Sequence, residues 1–359
     1  MNFGLTEEQE MLQEMLRGFV QNECPTTRLR ELFDAGRGHD DGLWAALAEM
    51  GIAGLIVPEE LGGAGMELLE LALVSEILGE GGLPSPFIGH SLACLALSSK
   101  GSPEQQARLL PALASGERIG TVALHESATG WLPQDWTVEL EDGRLQGTKT
   151  IVSHADLASG LLVGLQGGDL AWVDANAAGI RVEPVDGVDR TRPFATVHFD
   201  DVAAEALEAG TTCATRLIDA AAILLAADAF GAASKLVDLD VAYSLSREQF
   251  GRPIAEFQSI KHQIARLATD LEPTRALWWF AAHAFDHLPA EAARAASLAK
   301  AHISDRAIET ARQSVELHGG YGFTWECEVQ MWFKRIMFDR SFLGTPEDHR
   351  ARCAELGGW

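Results

Sequence analysis

Two arginines frame the stretch YSLSREQFGRPIAEFQ, which runs from Tyr243 to Gln258. Arg247 and Arg252 stand on either side of the pair Phe250-Gly251, directly after a long apolar helical run. A planar guanidinium grips phosphate oxygens with two parallel hydrogen bonds, so a helix ending in this way is suited to a phosphorylated ligand. The same spacing also fits a plain helix C-terminus, whose negative dipole end attracts cations. Both readings stand on spacing alone. The other residue placed for chemistry is Asp228, inside AAAILLAADAFGAA (220–233), where nearly every neighbour is apolar. A carboxyl buried there has its pKa raised, which is how a general base or acid is tuned. The alternative is a buried Asp satisfied by backbone or by an arginine.

These residues need elements to position them. Residues 5 to about 117 carry helical periodicity, opened by Thr6 with Glu7, Glu8 and Gln9 as a helix start. VPEELGGAGM (57–66) is a Pro- and Gly-rich break between helices. From Thr121 to about Val202 the period turns to two, and Glu141-Asp142-Gly143 between alternating runs predicts a hairpin. Helical runs return at 215–247, 254–286, 289–318 and 325–340. Helices, then sheet, then long helices make a segregated α+β chain. The expected parts are an N-terminal helical domain at 1–117, a middle antiparallel β domain at 118–205 and a C-terminal helical bundle at 212–359. No GxGxxG or Walker sequence follows a strand, which argues against a nicotinamide Rossmann domain and a P-loop.

The net charge of −24, from 28 basic and 52 acidic residues, argues against nucleic acid as a partner. Any anion site is then a local basic patch in an acidic protein, and the Arg247/Arg252 region is one. Five scattered cysteines without CxxC spacing fit reduced thiols. The N-terminal MNFGLTEEQE lacks the character of a signal peptide, and the apolar run 220–233 is too short to span a bilayer. A cytoplasmic protein without a membrane partner is expected.

Several segments in fixed order carry a resemblance over nearly the whole chain: LTEEQEML, PEELGGAG, ALHES (123–127), GTKTIVSHA (147–155), YSLSREQFGRPIAEFQ and ELHGGYGFTWE (316–326). In these the chain resembles the acyl-CoA dehydrogenase family. FLGTPEDHR (342–350) looks most like a bacterial subgroup that often acts on steroid side chains or other bulky acyl-CoA thioesters, frequently as two different chains paired together. The resemblance implies a helical domain, a β domain and a four-helix bundle, assembled as a homo- or hetero-tetramer. It implies FAD between the β domain, the bundle and a neighbouring subunit, with electrons leaving through an electron-transferring flavoprotein. It sets the loop at 123–130 and Ser153 beside the flavin ring, Ser153 as a hydroxyl donor. Arg247 and Phe250, helped by Gln258, would meet the pyrophosphate and adenine part of a FAD bound mostly in another subunit. Gly319 and Gly320 would let backbone N–H groups approach phosphate closely.

Three positions depart from the family pattern. Removing the α proton of a thioester needs a base. The Glu-Gly-Thr segment that supplies it in many members reads Leu343-Gly344-Thr345 here, and the alternative position holds Ala221. Asp228 becomes the catalytic candidate, with Asp219 read as a helix-start residue and Glu126 as a weaker alternative. Glu316 stands where the pattern places Gln, and a carboxylate facing a pyrophosphate is repulsive unless turned away or paired. His125 replaces a small hydroxyl residue. Two functions follow: a dehydrogenase subunit that introduces an α,β double bond itself, or a non-catalytic partner that lends its arginine to the FAD of a catalytic chain.

Overall fold

The computed structural model describes residues 4–126, 130–208 and 210–359. The N-terminal part consists of α1 (Glu7–Glu23), α2 (Thr26–Ala35), α3 (Asp41–Glu49), α4 (Leu68–Gly81), α5 (Phe87–Lys100) and α6 (Pro103–Ala114). The expected start of α1 is a full capping box: the Thr6 hydroxyl accepts from the Gln9 N–H, and the Gln9 side chain accepts from the Thr6 N–H. Ser102 and Gln105 repeat the device on α6.

The middle segment forms two four-stranded sheets rather than one. β1 (Gly120–Ala123), β4 (Gly160–Gly164), β5 (Leu170–Asp174) and β8 (Glu205–Leu207) make the first, in the order β1-β4-β5-β8. β2 (Glu139–Glu141), β3 (Arg144–Ser153), β7 (Phe194–Ala203) and β6 (Ile180–Val185) make the second, in the order β2-β3-β7-β6. All neighbours are antiparallel except β1 and β4. That parallel pair arises because the β2–β3 hairpin between them belongs to the other sheet, so the chain crosses over before β4. The hairpin turn is the predicted one, with Asp142 at φ 48° and Gly143 at φ 74° between the paired Glu141 and Arg144.

The C-terminal part opens with α7 (Gly210–Ser246), then a short hairpin of β9 (Glu248–Gln249) and β10 (Arg252–Pro253), followed by α8 (Gln258–Leu271), α9 (Arg275–His287), α10 (Pro289–Leu317), α11 (Val329–Ser341) and α12 (Pro346–Leu356). The run expected at 254–286 is split between α8 and α9 by a 3-10 turn at Glu272–Thr274, because Pro273 cannot continue the hydrogen-bond ladder. α7 is long and apolar enough to cross a membrane, but 94% of its most apolar window is buried inside the protein. Its small residues serve close packing. A Cβ on Gly231 would overlap the Glu76 carbonyl of α4, and one on Gly79 would overlap the Asp228 carbonyl of α7. These two glycines let α4 and α7 approach until their backbones touch.

Candidate functional site

Asp228 lies at the junction of the three parts, and its partners are arginines. Its Oδ1 accepts from Arg192 Nη2 at 2.8 Å and from Arg335 Nε at 2.7 Å, while Oδ2 accepts from Arg335 Nη2 at 2.6 Å. Arg192 comes from the β6–β7 link and Arg335 from α11. Arg192 also donates to Asp339 Oδ1 at 2.6 Å, and Arg335 to the Thr191 hydroxyl at 2.8 Å. Lys300 on α10 donates to the Asp339 carbonyl, closing a wholly buried ion cluster. Burial works to raise the Asp228 carboxyl, but Arg192 and Arg335 overcome it and hold it at about 2. The expectation of a raised, base-like Asp228 is therefore corrected: the carboxylate is a structural ion-pair partner with both oxygens occupied. Asp339 moves the other way, pushed well above the ordinary range by burial and by the adjacent Asp228 charge against the pull of Arg192.

The other carboxylates considered are also engaged. Asp219 is not at a helix start, since α7 begins at Gly210. It is buried and accepts from Arg352 Nη1 at 2.5 Å. Glu126 accepts from Lys149 Nζ at 2.5 Å, from the Thr137 N–H at 2.7 Å and from the Thr137 hydroxyl at 2.6 Å. Burial would raise its carboxyl, and those bonds hold it below the usual range instead. The positions where the family carries its base contain no acid: Ala221 and Leu343 are both about 1% exposed. The Leu343 carbonyl accepts from His349 Nε2 at 3.0 Å.

A cavity of about 40 Å³ lies where these elements meet, lined by Ala221, Leu225, Asp228, Ser153, Phe338 and Phe342 among others. Ligand pockets usually run to about 300–1,000 Å³, and one water occupies about 30 Å³, so this space admits little more than a water. A run of rings fills the surroundings: Phe194 on Phe338 at 4.5 Å, Phe338 on Phe342 at 4.9 Å, and Phe342 near His125 at 6.3 Å between centroids.

Ser153 ends β3 beside this cavity. Its hydroxyl lies 2.6 Å from His154 Nδ1, and His154 Nε2 lies 3.2 Å from the Gly38 carbonyl. A carbonyl only accepts, so Nε2 carries the hydrogen and Nδ1 is the acceptor. Burial first, then the nearby charges, depresses His154 to about 3 and keeps the ring neutral. The Ser153 hydroxyl proton is thus given to His154, contrary to the expected donation toward a flavin ring. His125 bonds Thr150 Oγ1 at 2.9 Å through Nδ1. Ser127, Ala128 and Thr129 of the expected flavin loop lie outside the described residues.

The predicted phosphate arm is assembled at the other end of the bundle, where α7 and α10 both terminate. Arg247 is exposed, and among the described residues none pairs with its guanidinium. Phe250, at φ 53°, is 92% exposed on the turn between β9 and β10. Arg252 stacks on Phe257 at 4.3 Å, and Gln258 is exposed at the first position of α8. Gly319 has φ 60°, and a Cβ on it or on Gly320 would meet nothing within 4 Å, so this backbone is open to a ligand. Glu316 is exposed on the last turn of α10. An unpaired guanidinium, an exposed ring and an open Gly-Gly backbone fit the diphosphate half of a FAD. The ring half does not fit as well, because Ser153 is already committed and the space beside it is filled.

Sequence reasoning missed Arg192, Arg335, Asp339 and His154. Arg335 and Asp339 stand four apart in WFKRIMFDR (332–340), a spacing that sets two ions on one helix face. Nothing in the local sequence of Arg192 or His154 marks them as buried partners.

Comparison with known proteins gives a consistent result. Residues 6–117 match the family model of the acyl-CoA dehydrogenase N-terminal domain, and residues 208–356 match that of the C-terminal domain. Acyl-CoA dehydrogenase IpdE2 of Mycolicibacterium smegmatis is 33% identical over 349 residues, covering 97% of this chain and 98% of that protein. Among solved structures, a variant of the "Tcur3481-Tcur3483 steroid ACAD" superposes with TM-score 0.90 at 31% identity, covering 98% of each chain. The ChsE4-ChsE5 complex from Mycobacterium tuberculosis gives TM-score 0.89 at 26% identity, covering 100% of this chain and 99% of the other.

Proposed function

The chain belongs to the acyl-CoA dehydrogenase family of FAD-dependent oxidoreductases, and from that premise we propose that it is the non-catalytic partner subunit of a heteromeric acyl-CoA dehydrogenase. One observation carries the proposal. The sole carboxylate among the described residues lining the cavity beside Ala221 is Asp228, and two arginines occupy both of its oxygens. A thioester bound here would meet no free base, and an acyl chain would find about 40 Å³.

The contribution of this chain lies at the opposite end. Arg247 grips the diphosphate of a FAD held by the catalytic subunit, Phe250 and Gln258 extend that contact, and the Gly319–Gly320 backbone approaches the same anion. FAD, when bound, supplies the hydride acceptor for introducing an α,β double bond into the thioester. The base for that step comes from the partner chain, whose electrons pass on to an electron-transferring flavoprotein. Similarity to a steroid ACAD supports a bulky, steroid-derived acyl-CoA as substrate of the assembled enzyme. Similarity to the ChsE4-ChsE5 complex supports assembly from two different chains.

The test is to purify the chain alone and together with a dehydrogenase chain that carries the Glu-Gly-Thr base. The expected result is a colourless or insoluble lone chain, and a yellow pair that loses flavin when this chain carries Arg247→Ala. A yellow homo-oligomer bleached by acyl-CoA would overturn the proposal and make the chain a dehydrogenase in its own right.

A further inference from the structure

We infer that a second cavity, enclosed by α5, α7 and α9, binds a carboxylate with a medium-length alkyl tail. It measures about 330 Å³ and shares no lining residue with the cavity beside Asp228. That volume lies within the range of small-ligand pockets, about 300–1,000 Å³. The walls are apolar: Leu95 and Ala96 come from α5, Leu217 from α7 and Phe285 from α9. Ala96, Leu217 and Phe285 are buried, whereas Ser99, Lys100 and Thr212 are exposed around the mouth. An apolar wall reached from solvent favours any hydrocarbon that covers it.

The mouth decides the charge of the ligand. Lys100 is the last residue of α5, and Arg216 stands on the second turn of α7. Among the described residues neither cation forms an ion pair with a carboxylate, in a chain whose net charge is −24. Arg216 donates to the Phe285 carbonyl at 3.1 Å and stacks on the Phe285 ring at 4.2 Å. A guanidinium has five N–H donors, so most of its fork is left for a ligand. Both cations act on the same lining residue, Cys213: burial raises its thiol, and Lys100 and Arg216 pull against that rise. The one acid among the described lining residues is Asp286, whose Oδ2 accepts from the Leu68 N–H at 2.9 Å. Two cations against one carboxylate leave a single positive charge, which a monoanionic head matches. Size sets the tail. One water occupies about 30 Å³, so the cavity takes about eleven atoms of that size. A carboxylate of about eight carbons fills it, and a coenzyme A thioester is far too large.

The experiment titrates octanoate into the assembled enzyme by isothermal calorimetry, with hexanoate and octan-1-ol as comparisons. One octanoate per copy of this chain is expected. Each methylene withdrawn from an apolar wall weakens binding about fourfold, so hexanoate should bind on the order of tenfold more weakly. Octan-1-ol lacks the charge and should bind roughly threefold to fivefold more weakly, and Lys100→Ala should weaken octanoate by a similar factor. Thr212→Trp sets a ring in the mouth and should abolish the site. Both substitutions alter exposed residues, so both variants should assemble with unchanged flavin content. Octanoate binding that survives Thr212→Trp at full strength would overturn the inference, because the acid then sits elsewhere in the enzyme. Equal affinity for octanoate and octan-1-ol, or no saturable heat with octanoate up to the millimolar range, would overturn it as well.

Discussion

Replacing Asp228 by Asn separates a structural ion cluster from a catalytic base. In the wild type the carboxylate receives three short hydrogen bonds, at 2.8, 2.7 and 2.6 Å, from two buried guanidinium groups. An amide keeps one acceptor oxygen and turns an N–H₂ toward a cation, leaving Arg192 and Arg335 short of one counter-charge. Removing one member of a buried ion pair costs about 3–5 kcal/mol. Relief of Asp339, which the Asp228 charge pushes upward, offsets part of that, so the lower end, about 3 kcal/mol, is expected. For a chain of 359 residues the shift in melting temperature is on the order of 4 °C. The loss has a pH signature. The folded carboxyl is held at about 2, below its ordinary 3.8. It therefore contributes about 2 kcal/mol above the unfolded value, lost as pH falls through the folded one. The gap between wild type and Asp228→Asn should narrow accordingly in strong acid. Differential scanning calorimetry of the assembled complex measures the first effect, and acid titration of its stability measures the second. An Asp228→Asn complex of unchanged melting temperature that no longer reduces flavin would refute this account and return Asp228 to the role of base.

Two further substitutions probe neighbouring features. Gly231→Ala drives a Cβ into the Glu76 carbonyl and should force α4 and α7 apart. Overpacking of this kind costs about 1–3 kcal/mol, seen as a lower urea midpoint at unchanged slope. Ser153→Ala removes the hydroxyl donor to His154 and should cost about 1 kcal/mol. The flavin content and absorption spectrum of the complex should not change, and a shifted flavin spectrum would mean that Ser153 donates to the ring after all.

The overall plan was legible because it rests on periodicity. The helical stripe after Thr6, the alternation from Thr121 to Val202 and the Asp142-Gly143 turn are local signals, set by which residues must share a face or adopt positive φ. What periodicity missed was the division of the β segment into two sheets with a parallel β1–β4 pair, since strand partners far apart in sequence leave no local mark. The break between α8 and α9 was visible in Pro273, although the run of apolar residues around it masked the stop.

The chain's own letters determined that this is an acyl-CoA dehydrogenase fold, that the usual base is absent at Ala221 and Leu343, and that an arginine arm follows α7. They could not determine the state of Asp228. An apolar helix predicts a raised carboxyl, and only the tertiary structure brings Arg192 and Arg335 to it from 36 and 107 residues away. A pKa is set by the charges within a few ångströms, and folding chooses those charges from anywhere in the chain.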